Sequence, residues 1–233
     1  MTTQQQMIRA PSEALPSDGL SRFVRAGAWA AMVSGLALAT SLLVEWLVVP
    51  FERLGETEAY LTGSYLLSSG LRLLSTILLL WALIGIYGRQ SRAAGTFGLW
   101  AFVVAFLGTA IQAGETWAEV FVFPTFAQVA PNMMSGQATE ASSYLVSGIF
   151  LSALLLSIGT ILFGVATFMA RVYPRWAPVL LIVSIPVTMF LDPTSGTFQE
   201  SIGQILFGIA VAALGFYALR IAPSISSSSQ GRA

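Results

Sequence analysis

The sequence predicts an all-α, polytopic transmembrane helix bundle of about six spans, with both termini on the cytoplasmic side. Three observations carry this. The chain is 55% hydrophobic and only 9% charged, whereas a soluble domain is typically about 25% charged. Its apolar residues fall into six stretches of helical length. Its arginines gather at alternate ends of those stretches.

In order, the spans are 27–49, 61–87, 97–123, 144–170, 176–191 and 202–219. A bilayer crossing needs about 20 residues at a rise of roughly 1.5 Å each. Five stretches meet that length, while 176–191 is short and contains Pro186, which removes one backbone hydrogen bond. Residues 1–23 and 222–233 read as flexible cytoplasmic tails around a helical domain, 24–221, because both ends are polar and built of small residues. The N-terminal stretch has no charged start leading directly into an apolar run, so no cleavable signal is expected there.

Orientation follows from the basic residues, all of which are arginine. Arg9, Arg22 and Arg25 precede the first span, Arg89 and Arg92 follow the second, Arg171 and Arg175 follow the fourth, and Arg220 and Arg232 follow the sixth. These fall on one side of a six-span chain, and Arg53 alone borders the other. The positive-inside rule makes the arginine side cytoplasmic. Trp29, Trp46, Trp100, Trp117 and Trp176 lie near the ends of spans, where an amphipathic ring prefers the interface, and Trp81 is the exception.

The composition also excludes chemistry. The chain has no His, Cys or Lys. That removes the usual ligands of haem and structural zinc, thiol redox centres, Ser-His hydrolysis and lysine Schiff bases. No cofactor or metal site is expected, and the chain is expected not to be an enzyme. The net charge of zero gives no field to attract nucleic acid. The expected partners are the lipid bilayer and a second membrane protein or another copy of the chain.

One internal echo stands out. Residues 157–166 read SIGTILFGVA and residues 201–210 read SIGQILFGIA. Either a duplicated hairpin or chance in a restricted apolar alphabet accounts for it. On both accounts Gly159, Gly164, Gly203 and Gly208 allow close helix approach.

The candidate site is a layer of polar side chains within or at the rim of the spans: Glu45, Arg72, Gln112, Glu115, Glu119 and Gln204, with Glu200 nearby. Counted from the cytoplasmic arginines at about 1.5 Å per residue, Glu45, Arg72, Gln112, Glu115, Glu200 and Gln204 lie roughly 24 to 35 Å up, near the outer boundary. An unpaired Arg in hydrocarbon costs several kcal/mol, so Arg72 should face the bundle and meet a carboxylate. Glu45 and Glu115 are the expected partners. Glu115 and Glu119 are one turn apart on one face. The bland reading makes Glu119 and Glu200 a solvated rim, and Arg72 a helix-helix ion pair or an interfacial side chain. Asp192 beside Pro193 reads as the start of a turn, 124–143 as a connection that could cover the polar layer, and 171–178 as a tight interfacial turn.

The stretches LGTAIQAGETWAEVFVFP, from Leu107, and LFGVATFMARVYPRWAPVLLIVSIP, from Leu162, resemble multi-pass integral membrane proteins of bacterial genomes that have no established activity. The matching positions are Glu115, Trp117, Glu119, Pro124, Arg171, Pro174, Arg175 and Trp176. The resemblance implies a bacterial cytoplasmic (inner) membrane protein and carries no catalytic role.

Two functions follow. The first is a non-enzymatic accessory or assembly protein, which expects a closed, ion-paired bundle. The second is a small-solute or ion transporter or channel using Glu45, Arg72, Glu115 and Glu119, which expects a water-filled space reaching Arg72. A carboxylate enzyme with Glu115 as base, or a metal held by Glu115 and Glu119, has no supporting motif.

Overall fold

A bundle whose solvent is lipid should bury small and weakly polar residues and turn its large apolar ones outward, the reverse of a soluble core. The structure, a computed structural model that describes residues 17–131, 140–191 and 198–220, has that distribution. Among the buried residues are Ala28, Ala31, Ala82, Ala105, Ala210, Ser34, Ser41, Ser68, Thr109 and Thr167, while Trp29, Leu36, Leu47, Trp100, Phe150 and Met169 are exposed. All six tryptophans face outward, Trp81 included, although it sits in mid-helix.

The described residues form helices and no strands. They are α1 (Ser17–Val48), α2 (Phe51–Leu54), α3 (Glu56–Ala59), α4 (Gly63–Phe121), α5 (Phe123–Val129), α6 (Glu140–Ala170), α7 (Trp176–Leu191) and α8 (Phe198–Arg220). Four stretches are long and apolar enough to cross a membrane, lying in α1, α4, α6 and α8. Helix α7 is shorter and carries Pro186 inside it. Helix α1 starts at Ser17, before the apolar run, so the segment expected as tail is helical from that point. Residues 1–16, 132–139, 192–197 and 221–233 lie outside the described residues, and with them Asp192, most of the N-terminal tail, all of the C-terminal one and part of the 124–143 connection.

Helix α4 is the main departure from the expected elements. Two spans joined by a loop at 88–96 were anticipated, but helix continues through that region and breaks only at Gly95 (φ 60°, ψ −157°). Positive φ is available to glycine at little cost. One such residue folds the helix back into a hairpin, with Tyr87 stacked on Phe102 at 4.7 Å. At the hairpin's far end the Tyr65 hydroxyl donates to the Glu119 carbonyl at 3.3 Å. Thr62 caps the first arm by accepting from the Tyr65 N–H at 3.3 Å.

The two arms, α1, α8, α7 and α6 close into a ring. Helix α1 packs on α4 and α8, α7 packs on α8 and α6, and α6 packs on α4. Small residues set each seam. A Cβ at Gly27 would lie 2.6 Å from Gly85 Cα, one at Gly159 2.5 Å from Ala105 Cα, and one at Gly215 2.5 Å from Ala28 O. The echoed glycines are used this way. Gly164 meets Ile182 of α7, Gly203 meets Ser184 and Thr188 of α7, and Gly208 meets Gly35 of α1. Phe163 and Phe207 occupy the same place in the two repeated segments, and both pack in the central core.

The seam between α1 and the first arm of α4 is a reciprocal serine ladder. Ser34 Oγ donates to Ser75 O at 2.9 Å and Ser75 Oγ to Ser34 O at 2.9 Å. One heptad on, Ser41 Oγ donates to Ser68 O at 2.9 Å. Each hydroxyl is satisfied by the neighbouring helix, which an apolar solvent demands.

The arginine end of the ring is closed. Gln90, fully buried, donates to Thr167 Oγ1 at 2.9 Å, and Tyr173 donates to Ile86 O at 3.1 Å. Burial pushes the Tyr173 phenol above its ordinary range, so it remains a donor. Between Ile86, Phe163 and Leu214 only about 10 Å³ is left empty, at or below what one water needs.

Candidate functional site

The site lies at the opposite end from these contacts, and the serine ladder positions it. Glu45 is one turn beyond Ser41 on α1, and Arg72 is one turn beyond Ser68 on α4. Residues four apart share a helix face, so both charges face the seam; the helices run antiparallel, which sets Arg72 deeper than Ser68 and Glu45 farther out than Ser41, and the two long side chains span the difference. Arg72 Nη2 donates to Glu45 Oε2 in an ion pair. Ser68 Oγ lies 3.2 Å from Glu45 Oε2 and also 3.2 Å from Ser41 O, so its one proton serves one acceptor at a time. The pairing expected between Arg72 and Glu45 is present.

The second partner differs from expectation. Arg72 Nη1 lies 3.6 Å from Glu119 Oε2, and the Glu119 side chain is only 15% exposed. Glu119 is therefore not a solvated rim residue. The hairpin at Gly95 brings the second arm beside the first, and the Tyr65 to Glu119 contact fixes the register that delivers this carboxylate. A count of depth along separate helices could not reveal which of two carboxylates one turn apart would face the arginine.

Glu115, the other expected partner, sits one turn deeper without an ion pair among the described residues. Its Oε2 is shielded from solvent and has no hydrogen-bond partner. Gln112 accepts from Ser152 Oγ of α6 at 3.1 Å, which ties the second arm to α6. Arg72 Nε is likewise buried and unpartnered. The side chain of Glu200 lies outside the described residues.

Helices of the ring surround a cavity of about 300 Å³, near the lower end of small-ligand pockets. Arg72, Gln112, Glu115, Glu119 and Gln204 all line it. Five of the six residues expected in the polar layer thus converge on one space. Helices α6 and α7 add Ser157, Ser184 and Thr188, while Leu38, Leu79, Ile185, Met189 and Phe207 supply an apolar wall. Single hydroxyls in an apolar run give no signal in sequence, and these were missed. The heptad spacing of Gly27, Ser34 and Ser41 could have revealed the seam beside them.

Glu45 lines a second, smaller space of about 130 Å³ together with Phe51, Tyr60, Tyr65 and Phe123. Arg72 and Glu119 line both spaces. The Arg72 to Glu119 contact therefore stands between a central cavity and an aromatic vestibule lined by Phe51 of α2, Tyr60, Tyr65 at the start of α4 and Phe123 at the start of α5. Among the described residues no group of three or more acidic side chains is placed to hold a metal ion.

A scan against protein-family models and searches of curated proteins and of solved structures find no match to this chain.

Proposed function

We propose that the chain is a six-span, N-in/C-in protein of the bacterial cytoplasmic membrane that takes a small solute into the central cavity through the Arg72 end. The observation that carries this reading is the cavity of about 300 Å³ reaching Arg72, Glu115 and Glu119. A scaffold or assembly partner has no use for such a space, and empty volume lined with charge costs packing and desolvation. The accessory reading expects ion pairing without a cavity, whereas here both occur together.

Six spans follow from reading α4 as two arms folded at Gly95 and α7 as a short crossing. The contacts Gly27 with Gly85, Gln90 with Thr167 and Tyr173 with Ile86 place Arg22, Arg25, Arg89, Arg92, Arg171 and Arg175 near one end of the bundle. That end is the cytoplasmic one by the positive-inside rule. The arrangement then has the vestibule outside, the Arg72 cluster as a partition, and the packed Ile86, Phe163 and Leu214 layer as the inner barrier. Exchange between outward and inward access would require this layer to part.

The absence of cysteine makes the test direct. Ser157 faces the cavity, and Thr160, one turn along α6, faces the packed layer. A membrane-impermeant maleimide added outside intact cells should label Ser157→Cys and leave Thr160→Cys unmodified. An unreactive Ser157→Cys in correctly inserted protein defeats the reading, as does a reporter fusion that places the C-terminus outside.

A further inference from the structure

Charge bookkeeping around the cavity points to the class of solute. The charged side chains facing the cluster are Glu45 from α1, Arg72 from the first arm of α4, and Glu115 and Glu119 from the second arm. Among the described residues, α6, α7 and α8 contribute only neutral groups, namely Ser157, Ser184, Thr188 and Gln204. Among the described residues, three carboxylates thus face one guanidinium. That guanidinium is engaged by Glu45 and Glu119, and Glu115, which lines the cavity and is hydrogen-bonded by Ser152 and Gln112, has no ion pair among the described residues.

An anion entering this space would meet more carboxylates than guanidinium, and an arginine whose two Nη atoms already face Glu45 and Glu119. A bare metal ion needs several converging oxygen ligands, and among the described residues the acidic side chains form no such group. The lining also includes the apolar side chains of Leu79, Ile185, Met189 and Phe207. An organic cation needs one counter-carboxylate for its charged head and an apolar surface for its body, and this cavity offers both. The adjoining vestibule is lined by Phe51, Tyr60, Tyr65 and Phe123, and aromatic rings attract cations through their faces.

We infer that the central cavity binds a small amphipathic organic cation, of the primary-amine class, with Glu115 as its counter-ion. This rests on the reading of the cavity as a solute site. Arg72 holds Glu45 and Glu119 at the mouth, so the entering ammonium reaches Glu115, the cavity carboxylate outside those ion pairs, only after passing the partition.

The test uses the full-length chain carrying Ser157→Cys, with three probes of similar shape: phenethylammonium, phenylethanol and phenylacetate. Phenethylammonium should slow maleimide labelling several-fold and raise the melting temperature of the detergent-solubilised protein, because a ligand that binds only the folded state stabilises it. Phenylethanol should do neither appreciably, and phenylacetate should do neither. Adding Glu115→Gln should leave labelling in place and abolish protection by the amine. Labelling without protection by phenethylammonium, or equal protection by phenylacetate, overturns the inference while leaving the cavity reading intact. Absence of labelling defeats the cavity reading itself. If Glu115→Gln does not fold, the comparison of amine with anion on the Ser157→Cys chain alone decides.

Discussion

The two ends of the bundle are built by opposite means. At the arginine end, glycine and alanine bring backbones into contact, the Gln90 amide N–H donates to Thr167 and the Tyr173 hydroxyl to Ile86 O across helices, and the layer of Ile86, Phe163 and Leu214 leaves almost no empty volume. At the Arg72 end the same helices diverge around about 300 Å³ and expose charge to the space between them. In lipid no hydrophobic force drives helices together, so dispersion and interhelical hydrogen bonds must hold them. The closed end supplies that cohesion, and the open end spends part of it on a polar cavity. The serine ladder of α1 and α4 runs between the two and transmits register from one to the other.

If cohesion resides in the closed end, substitutions there should dominate stability. Gly85→Leu places a side chain where Gly27 Cα already lies 2.7 Å from an added Cβ. It should cost roughly 3 kcal/mol or more through forced separation of backbones, read as loss of a monodisperse peak and a large fall in melting temperature. A variant as stable as the parent would break the comparison.

Arg72→Ala is the largest change expected at the open end. It leaves Glu45 and Glu119 facing each other without a cation. A fully buried pair broken in this way costs about 3–5 kcal/mol, and partial exposure of these groups reduces that to roughly 2 kcal/mol. The double variant Arg72→Ala with Glu45→Gln should recover part of the loss. Additive losses would show that the two residues do not interact.

Filling the cavity sharpens the contrast further. Ser157→Phe adds bulk where space exists, so melting should change by no more than about 1 kcal/mol, while amine protection at a thiol reporter such as Thr188→Cys disappears. The smallest effect belongs to the ladder. Ser34→Ala removes one member of a reciprocal pair and should cost about 0.6 kcal/mol, the average for interhelical hydrogen bonds in membranes. Thermal unfolding in detergent measures both.

Much of this architecture was legible along the chain. Apolar runs, the arginine fringe and the outward tryptophans depend on the preference of each residue for lipid, water or the boundary between them, which is a local property. For the same reason Arg72 could be expected to meet a carboxylate. The helical continuity across 88–96 was not legible, because a polar run between two apolar ones reads as a loop. Only backbone geometry places the whole reversal in Gly95.

Sequence by itself determined that the chain is helical and lipid-facing, that the available site chemistry is carboxylate, guanidinium, amide and hydroxyl, and at which level along the helices those groups sit. Tertiary structure alone decided that Glu119 rather than Glu115 stands beside Arg72, that Glu115 is left over, and that a cavity separates the helices at that level. The physical reason is that depth along a helix follows from counting residues. Azimuth, partner and empty volume depend on how neighbouring helices pack, and small residues distant from the site in sequence set that packing.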